Sequence, residues 1–191
     1  MKKYIKILFL CLLAFGVCSC ASLPLAPPEW RYEKETIQLH LKADFQLNLH
    51  EGTPHTLLIC VYQLRNPNTF NQLAGDNNGL YKLLECGLFD SSVAGSERLI
   101  IHPGQDLTFR LNRAEGARYI AIVAGYYSLY KERIIRLFDI PVIIEKKGWI
   151  KRTKILKPGP LNKVLIFRVC GDLKIRNTNI ARSYKNGRNN I

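Results

Sequence analysis

From Thr36 to Leu49 the chain alternates without a break. Ile37, Leu39, Leu41, Ala43, Phe45, Leu47 and Leu49 take the odd positions, and Gln38, His40, Lys42, Asp44, Gln46 and Asn48 the even ones. Residues two apart lie on one side of a β-strand, whereas on a helix the same spacing scatters them around the axis. The segment therefore reads as one long strand, with one face on a core and the other in water.

The remaining body follows the same grammar. After Gly52 and Pro54, the run Leu57 to Leu64 reads as a second, largely buried strand. Helix signals come next: Asn68, after Pro67, is placed to cap a short helix carrying Phe70 and Leu73. Past Gly75 to Gly79, Leu80 to Cys86 forms another turn or two before Gly87. Arg98 to Ile101 and the alternating Asp106 to Asn112 flank His102-Pro103-Gly104-Gln105, which predicts a tight turn and an antiparallel hairpin. Tyr119 to Tyr127 is apolar throughout, as a strand covered on both faces would be. Ile134 to Ile144, interrupted by Pro141, reads as an edge strand, because proline cannot donate to a ladder. Trp149 to Leu156 and, after Pro158-Gly159-Pro160, Leu161 to Cys170 complete seven or eight strands. The predicted fold is all-β: a two-sheet β-sandwich over residues 36–175, with a small helical insertion at about 68–87.

The N-terminus carries a different message. Lys2, Lys3 and Lys6 precede an uncharged run from Ile7 to Val17, followed by Cys18-Ser19-Cys20. This is the layout of a secretory signal, too short to span a bilayer as a helix, which needs about 20 residues. Val17 and Ser19 stand three before and just before Cys20, which resembles a bacterial lipobox and makes residues 1–19 the signal and Cys20 the lipid-modified residue. Ala21 in place of Asp points, by resemblance to the enterobacterial sorting rule, to the outer membrane. Pro24, Pro27 and Pro28 make residues 20–35 an extended tether.

The chain carries a net charge of +13, and +10 once the three signal lysines are removed. Nucleic acid is not the expected partner of an exported protein, so the charge reads either as a solvated edge and a disordered tail, the preferred reading for the tail, or as contact with anionic lipid headgroups or an acidic partner. It gathers late, with six Lys or Arg against Glu145 between Glu145 and Lys157, and a basic, flexible tail over 176–191. Cys60, Cys86 and Cys170 remain after export and allow at most one disulfide; Cys60 and Cys170 sit in apolar runs where a free thiol acts as a small hydrophobe.

Catalytic patterns are missing: there is no Gly-rich phosphate loop, no G-x-S-x-G and no H-E-x-x-H. His50-Glu51-Gly52-Thr53-Pro54-His55 resembles a zinc motif only superficially, since its histidines are five apart and Gly52 and Pro54 prevent the helix that would aim both at one metal. His40, His102, Asp44 and Asp106 fall on outward-facing strand positions or in turns. Binding is expected rather than catalysis, with no metal, cofactor or small-molecule substrate. A free-standing lipoprotein binding a small ligand or carbohydrate through Trp30, Tyr126, Tyr127 and Trp149 is the alternative.

Several segments together resemble the type VI secretion lipoprotein family TssJ (SciN, VasD). They are the lipobox, Leu47-Asn48 before a loop, Val61-Tyr62-Gln63-Leu64, Phe70 with Leu80-Tyr81-Lys82-Leu83-Leu84, Pro103-Gly104-Gln105, and Ala117 to Tyr126. The order and spacing of these segments, from Cys20 to Leu129, carry the likeness. The resemblance implies a transthyretin-like sandwich anchored in the outer membrane, facing the periplasm and binding the periplasmic part of the inner-membrane protein TssM. In this family the loop between the first two strands is important for that contact. By position it corresponds here to His50, Glu51, Gly52, Thr53, Pro54 and His55. The Trp-Arg pair that often follows the family's Ala-Tyr strand is replaced around Arg133 to Phe138.

Overall fold

The computed structural model describes residues 25–127, 129–147, 153–169 and 173–176. The signal segment, Cys20, Trp149, Cys170 and the tail from residue 177 lie outside the described residues.

Eight strands form two four-stranded sheets. One holds β1 (Glu33–Ala43), β4 (Asp106–Arg113), β9 (Leu161–Phe167) and β10 (Leu173–Arg176), in the order β10-β9-β1-β4. The other holds β2 (Leu57–Leu64), β3 (Val93–Ile101), β5 (Tyr119–Gly125) and β6 (Ile135–Asp139), in the order β3-β2-β5-β6. Pairing is antiparallel except between β1 and β9, which run parallel. The sheets close on a core of Ile37, Leu39 and Leu41 with Ile59, Val61, Ile120, Ile122, Leu165 and Phe167, which is the predicted β-sandwich.

The even positions of β2 and the odd positions of β5 explain why both strands are apolar throughout. Cys60, Tyr62, Leu64, Ala121 and Val123 point away from the first core into a second one, closed by Phe70, Ala74 and Leu83 of the insertion. That insertion comprises α1 (Asn68–Gly75) and α2 (Asn77–Leu83). A further short helix, α3 (Lys131–Ile134), precedes β6.

Local corrections to the sequence reading have physical causes. The first strand ends at Ala43 rather than Leu49: the Asp44 carboxylate accepts from the Gln46 amide at 2.9 Å and its carbonyl from the Leu47 amide at 3.0 Å, turning the chain. Leu47 stays in the core while Phe45, at the same phase, is left 82% exposed, so the alternation of burial ends with the strand. The Pro103-Gly104 turn forms, with the Gln105 amide bonded to the His102 carbonyl, but it joins no hairpin. Ile101 pairs with Leu57 and Asp106 with Lys42, so the turn carries the chain from one sheet to the other. Asn68 does not cap α1; it is the first helical residue, and its amide donates to the Asn66 side chain at 2.8 Å. The second helix starts three residues earlier than expected, at Asn77, because the Asp76 carboxylate caps it by accepting from the Gly79 amide. Gly79 lies inside α2, not in a break: a Cβ there would stand 2.1 Å from the Leu73 carbonyl oxygen, and its absence lets the two helices close on each other.

Cys60 is not a free thiol. It is bonded to Cys86, 26 residues away, and so ties β2 to the end of the helical insertion. Closing a loop of that length stabilises the fold by about 3.5 kcal/mol on the chain-entropy model. Such bonds persist in oxidising compartments, the kind of compartment that the export expected from the sequence would reach.

The register of the strands defines two poles. β1 starts and β4, β2 and β6 end at one of them, where the N-terminal segment is held. There the Gly116 amide bonds the Trp30 carbonyl at 2.7 Å, and buried Arg113 donates to the Arg31 carbonyl and pairs with Glu33 at 2.9 Å. The other pole gathers the β1–β2 loop, the His102–Gln105 turn and the end of β5, linked by the Gly104 amide to the Asp44 carbonyl at 3.1 Å. The eleven residues of β1 separate the poles by roughly 35 Å.

β7 (Val142–Lys147) and β8 (Thr153–Pro158) pair only with each other. β6 is a sheet edge, as expected, but Pro141 ends it and sends the chain into this separate hairpin rather than along the same strand.

Candidate partner-binding loop

The loop that the sequence singled out is a small hairpin standing on the pole away from the N-terminal segment. His50 and Thr53 exchange both backbone hydrogen bonds, at 3.0 and 2.9 Å. Glu51 and Gly52, between them, have φ of +48° and +78°. Positive φ at both central residues is the type I′ turn, which glycine adopts freely and which suits a tight hairpin. His50, Glu51, Gly52, Thr53 and Pro54 are exposed, and His55 half-buried.

Three attachments hold this hairpin. The His55 amide bonds the Leu47 carbonyl at 3.0 Å and the Leu49 amide the Val169 carbonyl at 3.1 Å. The third is Asn48, which is buried and has φ of +49°. Its Nδ2 donates to the Thr56 carbonyl at 3.0 Å, and its Oδ1 accepts from the Tyr127 amide at 3.0 Å. One side chain thus joins both limbs of the loop to the end of β5. Asparagine tolerates the left-handed backbone better than most residues and still supplies both polar groups.

Tyr127 completes the surface. Its ring, 57% exposed, stacks on His50 with 4.2 Å between centroids, and His55 meets it edge-on at 5.1 Å. Beside it an open depression of about 350 Å³ is lined by His55, Leu58, Arg98, Ile100 and Tyr127. A stacked tyrosine and an arginine guanidinium are residue types enriched in protein-binding hot spots.

Of the aromatic residues named for ligand binding, Tyr126 and Tyr127 both line this depression, Trp30 stands apart from it, and Trp149 lies outside the described residues. Tyr127 belongs to the loop surface, Tyr126 is buried beside it, and Trp30 lies at the opposite pole under Arg118. His40 stands on the wet face of β1, with Nε2 2.7 Å from Asp106. Lys42, 2.8 Å from the same carboxylate, is the main cause holding Asp106 below the usual aspartate range. Among the described residues no cluster of three or more His, Cys, Asp or Glu side chains is placed to hold a metal ion. Sequence reasoning missed Arg98, Leu58 and Ile100, which join the loop only because β2 and β3 pair beside it. Asn48 carried a signal, a polar residue at the even phase just before the loop.

Comparison with known proteins gives the same architecture. TssJ1, the T6SS lipoprotein of Pseudomonas aeruginosa, superposes with a TM-score of 0.54 at 18% identity, over 80% of this chain and 99% of that one. Lip of Serratia marcescens, described as a membrane-bound component of the type VI secretion system, gives 0.54 at 22% identity, over 74% and 97%. A chain in the structure described as the T6SS protein TssM C-terminal domain from EAEC gives 0.55 at 12% identity, over 74% and 98%. Identities this low show the fold alone. No curated protein sequence matches the chain. The model of the SciN family, described as type VI secretion lipoprotein, VasD, EvfM, TssJ, matches residues 35–150, more than half of the chain. The protein therefore belongs to the type VI secretion lipoprotein family.

Proposed function

We propose that this protein is a non-enzymatic structural component of a type VI secretion membrane complex. Lipid on Cys20 anchors it to the periplasmic side of the outer membrane, and the His50–His55 loop binds the periplasmic C-terminal part of TssM. The observation that carries this reading is the braced loop and Tyr127, standing at the pole opposite the segment that leads back to Cys20. A protein linking two membranes needs its anchor and its partner surface at opposite ends. Sandwiches of similar shape in structures described as the TssM C-terminal domain and as a type VI membrane complex support the choice of partner.

The test is capture of the TssM periplasmic domain from the same organism by residues 21–191, which retain every described residue. Replacing His50 to His55 with a Gly/Ser link is expected to abolish capture while Leu47, Asn48 and the melting transition are kept. Undiminished capture would reject the loop. The depression beside Tyr127 favours a second reading, a free-standing lipoprotein that binds a small ligand. Failure of the folded wild-type domain to capture TssM at all would select it.

A further inference from the structure

The β7–β8 hairpin has no place in that partner surface. It leaves the sandwich at the opposite pole, where the Gly159 amide bonds the Pro141 carbonyl at 2.7 Å. Val142, Ile143 and Ile144 are 44%, 39% and 59% exposed, unusual for three consecutive branched apolar residues. An isolated two-stranded hairpin is marginal in water, so this one is built to meet something else.

The register shows what. On one face, from base to outer end, Val142 lies opposite Pro158, Ile144 opposite Leu156, and Lys146 opposite Lys154. Apolar side chains are followed by two lysines directly across from each other, a pairing that repels unless an anion lies between. The hairpin's Glu145 is turned to Lys157, at 3.1 Å, and gives them no carboxylate.

The N-terminal segment runs beside this hairpin. Ala26, Pro27 and Glu29 line one cleft with Lys154, Leu156 and Pro158. Ala26 is six residues from Cys20, a reach of at most about 20 Å. Resting on the proposal that Cys20 is lipidated, we infer that the hairpin is a second membrane contact. Val142 and Ile144 rest on the interface, and Lys146 and Lys154 bind the phosphates of an anionic bilayer. Lipid and hairpin then hold the sandwich at two points, with the His50–His55 loop facing away from the membrane.

The test uses residues 21–191 without lipid, floated with vesicles of phosphatidylethanolamine and phosphatidylglycerol, or of phosphatidylcholine alone. Binding is expected to the anionic vesicles only. K146Q with K154Q should weaken it about thirtyfold, since each lysine near an anionic surface contributes about fivefold. I144S should weaken it as well, and both variants should keep the wild-type melting temperature and TssM capture. Removing residues 177–191 should leave the difference between wild type and K146Q/K154Q intact. Equal binding to phosphatidylcholine overturns the inference, as does binding that depends on the tail and not on the lysine pair. Loss of TssM capture with vesicle binding unchanged would make the hairpin a protein-docking surface and overturn it too. Because the vesicle flotation itself contains neither TssM nor lipid on Cys20, its outcome is independent of the partner assignment.

Discussion

The His50 imidazole lies along the face of the Tyr127 ring, 4.2 Å between centroids and 13° between planes, across a gap of 77 positions in the sequence. His55 closes the group edge-on to Tyr127 at 76°. The stack turns an exposed polar loop into a preformed surface, because the aromatic side chains that would otherwise be ordered on binding are already held.

Tyr127 is expected to dominate the partner contact. Tyr127→Ala should weaken capture of the TssM domain by about thirtyfold or more, the loss of a central aromatic anchor. Its stability should change little, since the ring is 57% exposed. Titration by calorimetry decides; unchanged affinity would place the hot spot elsewhere.

Asn48 should matter to folding as well as to the loop. Asn48→Ala removes the partners of the Thr56 carbonyl and the Tyr127 amide and puts alanine at φ of +49°. A cost of about 2 to 4 kcal/mol follows from two hydrogen bonds and a strained backbone. Urea unfolding measures it, and a cost under about 0.5 kcal/mol would mean that the side chain is not holding the loop.

The disulfide predicts a thiol count. Residues 21–191 contain Cys60, Cys86 and Cys170, so the unfolded, unreduced protein should show one reactive thiol and the reduced protein three. Cys60→Ser with Cys86→Ser should lower stability by about 3.5 kcal/mol, concentrated in loosening of the helical insertion. Three thiols before reduction would contradict the bond.

Tyr62 gives a pH dependence. Its hydroxyl donates to the Leu83 carbonyl at 2.6 Å, and burial, followed by the nearby Glu85 charge, pushes its pKa up from 10.0 to about 12. The folded value lies above the unfolded one, so the contribution is whole below pH 10 and is lost as pH rises towards 12. There the unfolded phenol ionises first, and stability should fall by up to about 1.4 kcal/mol per pH unit. Tyr62→Phe should lose about 1 kcal/mol at neutral pH and show a flatter decline above pH 10. Identical alkaline profiles for the two proteins would assign the decline to another group.

The β-strands were legible because burial imposes a period of two on any strand between a core and water, and residues 36–43 show it plainly. Even there the sequence overstated the strand: the apolar alternation runs on through Phe45 and Leu47 although Asp44 turns the chain, and the pattern alone cannot register a turn that exposes one and leaves the other in the core. The loop at His50 to His55 was legible as a polar break between two strong strands.

Taken alone, the sequence determined that the chain is built of short strands around a small helical insertion, and the kind of sandwich these make, since strand periodicity follows from neighbours along the chain. Tertiary structure decided the rest. It placed β3 and β4 in different sheets, laid β9 parallel to β1, bonded Cys60 to Cys86, and brought Tyr127 and Arg98 beside a loop tens of residues away. Those are contacts between residues distant in sequence, chosen by how two sheets and a pair of helices bury their apolar faces together, and no local pattern records that choice.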